Sequence, residues 1–342
     1  MRPSVGELLT AVRRRLRPPV LIALGSPRRT AELVAELALP DTVCYQMDLF
    51  QADRLRAELV EAGQTATVTT AADLWDVPGP FGAVLLPAIA HGERELKRDM
   101  VEQAHHVLRP GGLLAVLSDV PRDQFFPPLL KKTYGKVAQE SGESGTVLWS
   151  PRGDDKPRRR HEISYHVRRP DANSLVIVSR PGVFSYGRLD DGARALTEVM
   201  DIRHGDALLD IGCGTGAVGI LAGLRAGESG SVTFVDSNTR AVALAELNAK
   251  AAGLTNYKTV AAARLDGLPE SAFDVALANP PYYAQQSIAR LFVEGARRLL
   301  RPGGRLYLVT RQADLIKPIV HEHFGRSEMR LRRDYAVYLA KK

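Results

Sequence analysis

Leu208-Leu209-Asp210-Ile211-Gly212-Cys213-Gly214-Thr215-Gly216 is the stretch that decides how this chain folds. An apolar strand runs into a turn with glycine at every second position, and residues 217–224 then read as helix. Glycine lets the backbone take positive φ and pass close to a ligand. A dinucleotide-binding turn wants Gly-x-Gly-x-x-Gly, and a P-loop wants Lys after its last glycine. The spacing here, Asp-x-Gly-x-Gly-x-Gly, is neither. It suits a turn beneath the methionine part of S-adenosylmethionine, with Asp210 near the amino group. About 20 residues further on, the apolar run 232–235 ends at Asp236. A carboxylate at that strand end can accept hydrogen bonds from both ribose hydroxyls of an adenosine cofactor.

Working outward, residues 273–278 read as a strand that runs into Asn279-Pro280-Pro281-Tyr282-Tyr283. Two prolines after a strand hold the chain extended and stop ladder pairing. An exocyclic purine amine or an amide is a poor nucleophile because its lone pair is delocalised. The Asn279 side chain and the Pro280 carbonyl can each accept one N–H and turn that lone pair toward a methyl donor. Tyr282 can stack on the ring and exclude water. Strand ends at the carboxyl edge of an open α/β sheet are where such ligands bind.

Further out, the chain repeats itself. Residues 106–117, HVLRPGGLLAVL, match residues 298–309, RLLRPGGRLYLV. At the same offset, residues 81–86 lie over 273–278, and with some slippage residues 20–25 lie over 207–212. Amphipathic stretches such as 30–38 and 239–252 fall between these strands. The alternation predicts parallel sheets covered by helices, present twice. In the first copy the glycine turn reads Ala23-Leu24-Gly25-Ser26-Pro27-Arg28-Arg29. One glycine remains and the first aspartate is missing, while two arginines offer nothing to a sulfonium. The first site reads as lost.

Composition sets the outer bounds. The 342 residues are 45% apolar and 25% charged, ordinary globular usage that excludes long disorder and collagen-like repeats. The net charge of +7 is unevenly spread: 17 basic and 18 acidic residues in 1–150, 8 and 4 in 151–180, 21 and 17 in 181–342. Arg152, Lys156, Arg158, Arg159 and Arg160 suit either phosphate contacts or a solvated linker. Cys44 and Cys213 form no CxxC, which argues against a disulfide scaffold or structural zinc. The short run 20–24 behind Arg13, Arg14 and Arg15 is interrupted by Pro18 and Pro19 and does not read as a signal peptide. No run nears the roughly 18 apolar residues of a membrane span. A soluble, cytoplasmic chain is the expectation, with no metal. The pairs His105-His106 and His321/His323 read as solvated helix faces, Arg13 to Arg17 as a solvated helix, and Cys213 as a small residue in a tight turn.

The chain resembles the small-subunit ribosomal RNA guanine-N2 methyltransferase family, which carries a duplicated methyltransferase domain with a degenerate first copy. The likeness rests on Pro181-Gly182-Val183-Phe184-Ser185 with Leu189-Asp190, on residues 210–216, on residues 279–282, and on Tyr335-Ala336-Val337-Tyr338. It implies two tandem Rossmann-like α/β domains: a degenerate, structural or RNA-contacting one at 1–150, a basic linker and entry strand at 151–180, and a catalytic one at 181–342. It implies S-adenosylmethionine held by Asp210, Gly212, Gly214, Gly216, Asp236 and Asn279, with Asn279, Pro280 and Tyr282 holding a flipped guanine. The partner would be ribosomal RNA or the small ribosomal subunit, met by a monomer. Two positions depart from the family: Tyr282-Tyr283 stands where Phe-His is frequent, and Arg264 where a smaller polar residue neighbours the adenine. Methylation of a protein glutamine amide is the nearest enzymatic alternative. A ribosome-assembly protein that has lost catalysis is the non-enzymatic one.

Overall fold

The computed structural model describes residues 5–88, 90–169, 172–281 and 286–342. The chain divides into two compact units, Met1–His161 and Glu162–Lys342. The first contains α1 (Val5–Arg13), β1 (Val20–Ala23), α2 (Pro27–Leu37), β2 (Thr42–Gln46), α3 (Leu49–Glu61), β3 (Thr67–Thr70), β4 (Phe81–Ala88), α4 (Arg94–Val107), β5 (Leu108–Ser118), α5 (Phe126–Tyr134), β6 (Ala138–Gly142) and β7 (Gly145–Pro151). The second opens with a hairpin of β8 (Ile163–Arg169) and β9 (Ala172–Ser179). It continues through α6 (Asp191–Val199), β10 (Ala207–Ile211), α7 (Ala217–Ala226), β11 (Ser231–Asp236), α8 (Thr239–Ala251), β12 (Tyr257–Ala261), β13 (Phe273–Ala278), α9 (Gln286–Leu299), β14 (Leu300–Thr310), α10 (Ala313–Phe324), β15 (Ser327–Arg332) and β16 (Tyr335–Lys341).

Each unit builds a seven-stranded sheet of one topology. The orders are β3-β2-β1-β4-β5-β7-β6 and β12-β11-β10-β13-β14-β16-β15. Five strands are parallel, and the last two are added antiparallel. Central strands covered on both faces must be apolar along their whole length, and β4 is buried at every position. The strands β6 and β15 close one edge of each sheet and are exposed and rich in polar residues, which discourages pairing with another chain. In the second sheet the pleat sends Leu208, Phe234, Val275, Leu277 and Val309 into one core and Leu209, Ile211, Val235, Ala276 and Leu308 into the other. The hairpin joins the first of these cores through Val167, Leu175 and Ile177.

In the basic stretch after β7, Lys156, Arg158, Arg159 and Arg160 are exposed and Arg152 is half-buried, and several of them also touch the first unit. The Arg158 and Arg160 guanidinium carbons lie 5.5 and 6.0 Å from the centre of the Trp75 ring, and Arg160 also pairs with the buried Asp73 at 3.5 Å. Arg152 donates to the Leu108 carbonyl. Three of these cations thus have partners within the first unit. His105 also departs from the expectation of a solvated face: it is buried, stacked at a tilt against Tyr134. Burial lowers the pKa of His105, and that of neighbouring His106 falls to about 4. Among the described residues no helix is long and apolar enough to cross a membrane, and no group of His, Cys, Asp or Glu could hold a metal.

Candidate active site

The turn after β10 carries three glycines at positive φ: Gly212 at +69°, Gly214 at +54° and Gly216 at +81°. What a side chain would meet at each separates their roles. A Cβ on Gly212 would come within 3.0 Å of the Phe292 ring, and one on Gly216 within 3.0 Å of the Ala245 backbone. At Gly214 nothing lies within 4 Å. Two glycines let the turn pack against α9 and α8, and the third leaves open space above the backbone. Cys213 is buried and burial pushes its thiol pKa well up, so the thiol is protonated and poorly nucleophilic.

Asp210 lies behind this turn, only 4% exposed, and its Oδ2 accepts the Gly219 N–H at 2.9 Å. Burial raises its pKa to about 7; the Gly219 N–H pulls it back down, and the charge of Asp236 pushes it further up. Asp236, half-buried, links two segments: Oδ2 accepts the Gly214 N–H and Oδ1 the Asn238 N–H, both at 2.9 Å. Asn238 caps α8 through Oδ1 and donates from Nδ2 to the Gly182 carbonyl at 2.7 Å. The fully buried Arg240 donates to the Pro181 carbonyl at 2.6 Å. Residues 181–182 are thereby tied to the strand end that carries Asp236.

Asn279 follows β13, which pairs directly with β10, so it leaves the sheet beside the glycine turn. Its Nδ2 donates to Asp190 Oδ2 at 3.2 Å. That same oxygen caps α6, accepting from Gly192 N at 2.9 Å and Ala193 N at 3.2 Å. Pro280 is buried and Pro281 half-buried. Tyr282 and Tyr283 lie outside the described residues. Arg264, beyond the end of β12, is exposed.

Several positioning groups escaped the sequence. The side chain of Asn248 is buried in α8; Oδ1 accepts the Val178 N–H at 2.8 Å, while Nδ2 donates to the Val178 and Thr215 carbonyls, each at 2.9 Å. The Tyr165 hydroxyl meets the Thr215 hydroxyl at 3.0 Å. The hairpin therefore braces the glycine turn. One signal was visible: Ala241, Leu244, Ala245, Asn248 and Ala249 share a buried helical stripe, and an amide in such a stripe has to find partners.

Strand register fixes the matching positions in the first unit. Val20 pairs with Ala83 as Leu208 pairs with Val275, and Val20 pairs with Thr42 as Leu208 pairs with Val232. Ile22 therefore occupies the place of Asp210, Gln46 that of Asp236 and Pro87 that of Asn279. Leu24, not Gly25, falls at Gly212 and keeps its positive φ, at +58°. This corrects the sequence match of 20–25 with 207–212 by one residue. Around Gly25 the space is filled by Thr30 and Pro87, and Gln46 donates to the Gly25 carbonyl at 2.7 Å.

The fold and turn define a tandem pair of Rossmann-like α/β domains, with the three-glycine turn present only in the second. Residues 174–339 match the family model described as methyltransferase small domain. The chain is similar to ribosomal RNA small subunit methyltransferase C of Pseudomonas aeruginosa, 32% identical over 200 residues, covering 56% of this chain and 59% of that protein. The same enzyme of Pseudomonas syringae is 34% identical over 173 residues, covering 49% and 51%. The matched region thus spans somewhat more than half the length of these curated relatives. Among solved structures, the 16S rRNA N2 guanine methyltransferase RsmC of T. thermophilus, in complex with AdoMet and guanosine, superposes with a TM-score of 0.74 at 22% identity, covering 100% of this chain and 92% of that one. The resemblance drawn from the motifs is borne out, and so is the duplicated fold.

Proposed function

We propose that this protein transfers a methyl group from S-adenosylmethionine to the exocyclic N2 of a guanine in ribosomal RNA, using the second unit alone. The observation that carries the reading is the placement of Asn279 beside a glycine turn whose middle glycine, Gly214, faces open space. The names of the curated relatives support ribosomal RNA as the substrate class. The residues present suit the cofactor. The backbone at Gly214 can lie against its methionine part, Asp236 is within a strand end suited to the ribose, and Asp210 supplies negative charge behind the turn. Bound there, S-adenosylmethionine supplies an electrophilic methyl on a positively charged sulfur.

The chain's own groups do the rest. Asn279 and the Pro280 carbonyl accept the two N–H groups of the target amine and aim its lone pair. Rigid prolines hold both acceptors in place, and Tyr282 stacks on the base. No strong base is needed, since the proton leaves after transfer. The first unit serves as a structural or RNA-contacting body, and the protein works as a cytoplasmic monomer. Single-turnover transfer of labelled methyl to small-subunit ribosomal RNA, followed by nucleoside mapping, tests the reading. N2-methylguanine is the expected product. Label on protein glutamine instead would give the site to the amide substrate, and failure to bind S-adenosylmethionine would leave a non-catalytic assembly protein.

A further inference from the structure

Asn279 has a requirement that it cannot meet alone. A primary amide has nearly the same shape when turned over, yet its two ends do opposite things. With oxygen toward the target amine it accepts an N–H. With nitrogen there it offers a second donor to a donor and repels the substrate. Half of an unconstrained population would be wrong at any moment.

The structure assigns a group that removes the ambiguity. Asp190 Oδ2 receives the Asn279 Nδ2 at 3.2 Å. An ionised carboxylate only accepts, so it takes the nitrogen end of the amide and rejects the oxygen end. Oδ1 is then the end turned away from Asp190. The acceptor is itself held firmly. The Gly192 and Ala193 N–H groups of α6 donate to the same oxygen, and the positive end of the helix favours a negative charge at this place. The segment leading to Asp190 is anchored further back through Pro181 and Gly182. A helix start and a strand end, 89 residues apart, thus meet in one oxygen atom.

We propose that Asp190 is the positioning residue that fixes the face of the Asn279 amide, a role that rests on the methyl-transfer reading above. In this role it acts through Asn279. Two substitutions separate this role from helix capping. Asp190→Ser keeps a good capping oxygen on a side chain one bond shorter, which no longer reaches Asn279. Asp190→Asn keeps an oxygen where Oδ2 stood, able to serve both the cap and the amide.

The experiment measures single-turnover methyl transfer, cofactor dissociation constant and melting temperature for each variant, alone and with Asn279→Ala. D190S is expected to transfer about 10- to 100-fold more slowly, the scale of a misplaced reacting group. Its cofactor affinity and melting temperature should stay close to wild type. D190N should recover most of the rate, and D190S should add nothing to N279A. A wild-type rate in D190S overturns the proposal. So does a rate loss matched by loss of cofactor affinity or of folding, or an equal loss in D190N, or additivity with N279A. A wild-type protein with no transfer at all would instead defeat the functional reading itself.

Discussion

Asp210, Asp236 and Asn279 in the second unit occupy the same sheet positions as Ile22, Gln46 and Pro87 in the first. Both sheets have the same strand order, and both position their turns at the same edge. The fold therefore needs none of the three polar side chains. Ile22 shows the cheaper solution for a central strand: an apolar residue, buried without penalty. Asp210 sits in the equivalent place at the cost of desolvating a carboxylate. Where one copy bears a burden that the other shows to be unnecessary for the fold, the burden marks the candidate site. The turns differ in another way: Thr30 and Pro87 crowd Gly25, the match of Cys213, and the first turn has no glycine at the place of Gly214, where the second is open.

The largest expected effect breaks this comparison at Asn279. Asn279→Ala should slow single-turnover transfer by on the order of 10²- to 10³-fold, the usual loss when one group aimed at the transition state is removed. Cofactor affinity should hardly change. The matching substitution Pro87→Ala should leave the rate where it was. If N279A transfers at the wild-type rate, the proline turn is only a structural feature.

Asp236 comes next. Asp236→Ala removes charged hydrogen bonds to the ribose and releases the Gly214 N–H, so cofactor affinity should fall roughly 10- to 100-fold. Gln46→Ala should leave it unaltered. Titration calorimetry of the wild type should give one cofactor per chain. Two equivalent sites would mean that the first turn still binds.

The glycines sharpen the contrast inside one turn. Gly212→Ala pushes a methyl group into the Phe292 ring and should destabilise the protein by about 1–3 kcal/mol, seen as a lower melting temperature. Gly214→Ala places its Cβ where no protein atom lies within 4 Å, so only the cost of a left-handed residue, about 1–2 kcal/mol, falls on folding. Its main effect should be on cofactor binding. Equal cofactor loss in both variants would show that the open space is not the binding surface.

Much of this was legible in the sequence because strand ends and turns are local. The glycine turn, the acid at the end of β11 and the Asn-Pro-Pro corner each lie within a few residues. What escaped were partnerships across the chain. Asp190 meets Asn279 only because α6 starts near the end of β13, and Phe292 lies under Gly212 only because α9 crosses that turn. The first copy was misread by one residue because Leu24 holds a positive φ without glycine's help, which leaves no mark in the sequence. The basic stretch was read from its charge, but Trp75, about 80 residues earlier, takes up two of its arginines.

A further contrast is a pH dependence carried by Asp210 in the second unit. Asp210 has its pKa raised by burial to about 7, while in the unfolded chain it is an ordinary carboxylate near 4. Between these values the folded protein holds a proton that the unfolded chain has released. Its contribution to stability is complete below pH about 4 and is lost as pH rises toward 7, at about 1.4 kcal/mol per unit. Cofactor binding runs the other way. A cationic ligand favours the ionised carboxylate, so its binding releases a proton below pH 7. Affinity should climb by up to about tenfold per pH unit toward 7 and then level off. Asp210→Asn keeps an acceptor for the Gly219 N–H and cannot ionise, so both slopes should flatten by that amount. Ile22 has no proton to exchange, and the first unit adds nothing at this position. Calorimetry in two buffers of different ionisation heat would count the proton directly. A cofactor-affinity slope that is unchanged in D210N would place the titration in another group and separate Asp210 from the cofactor.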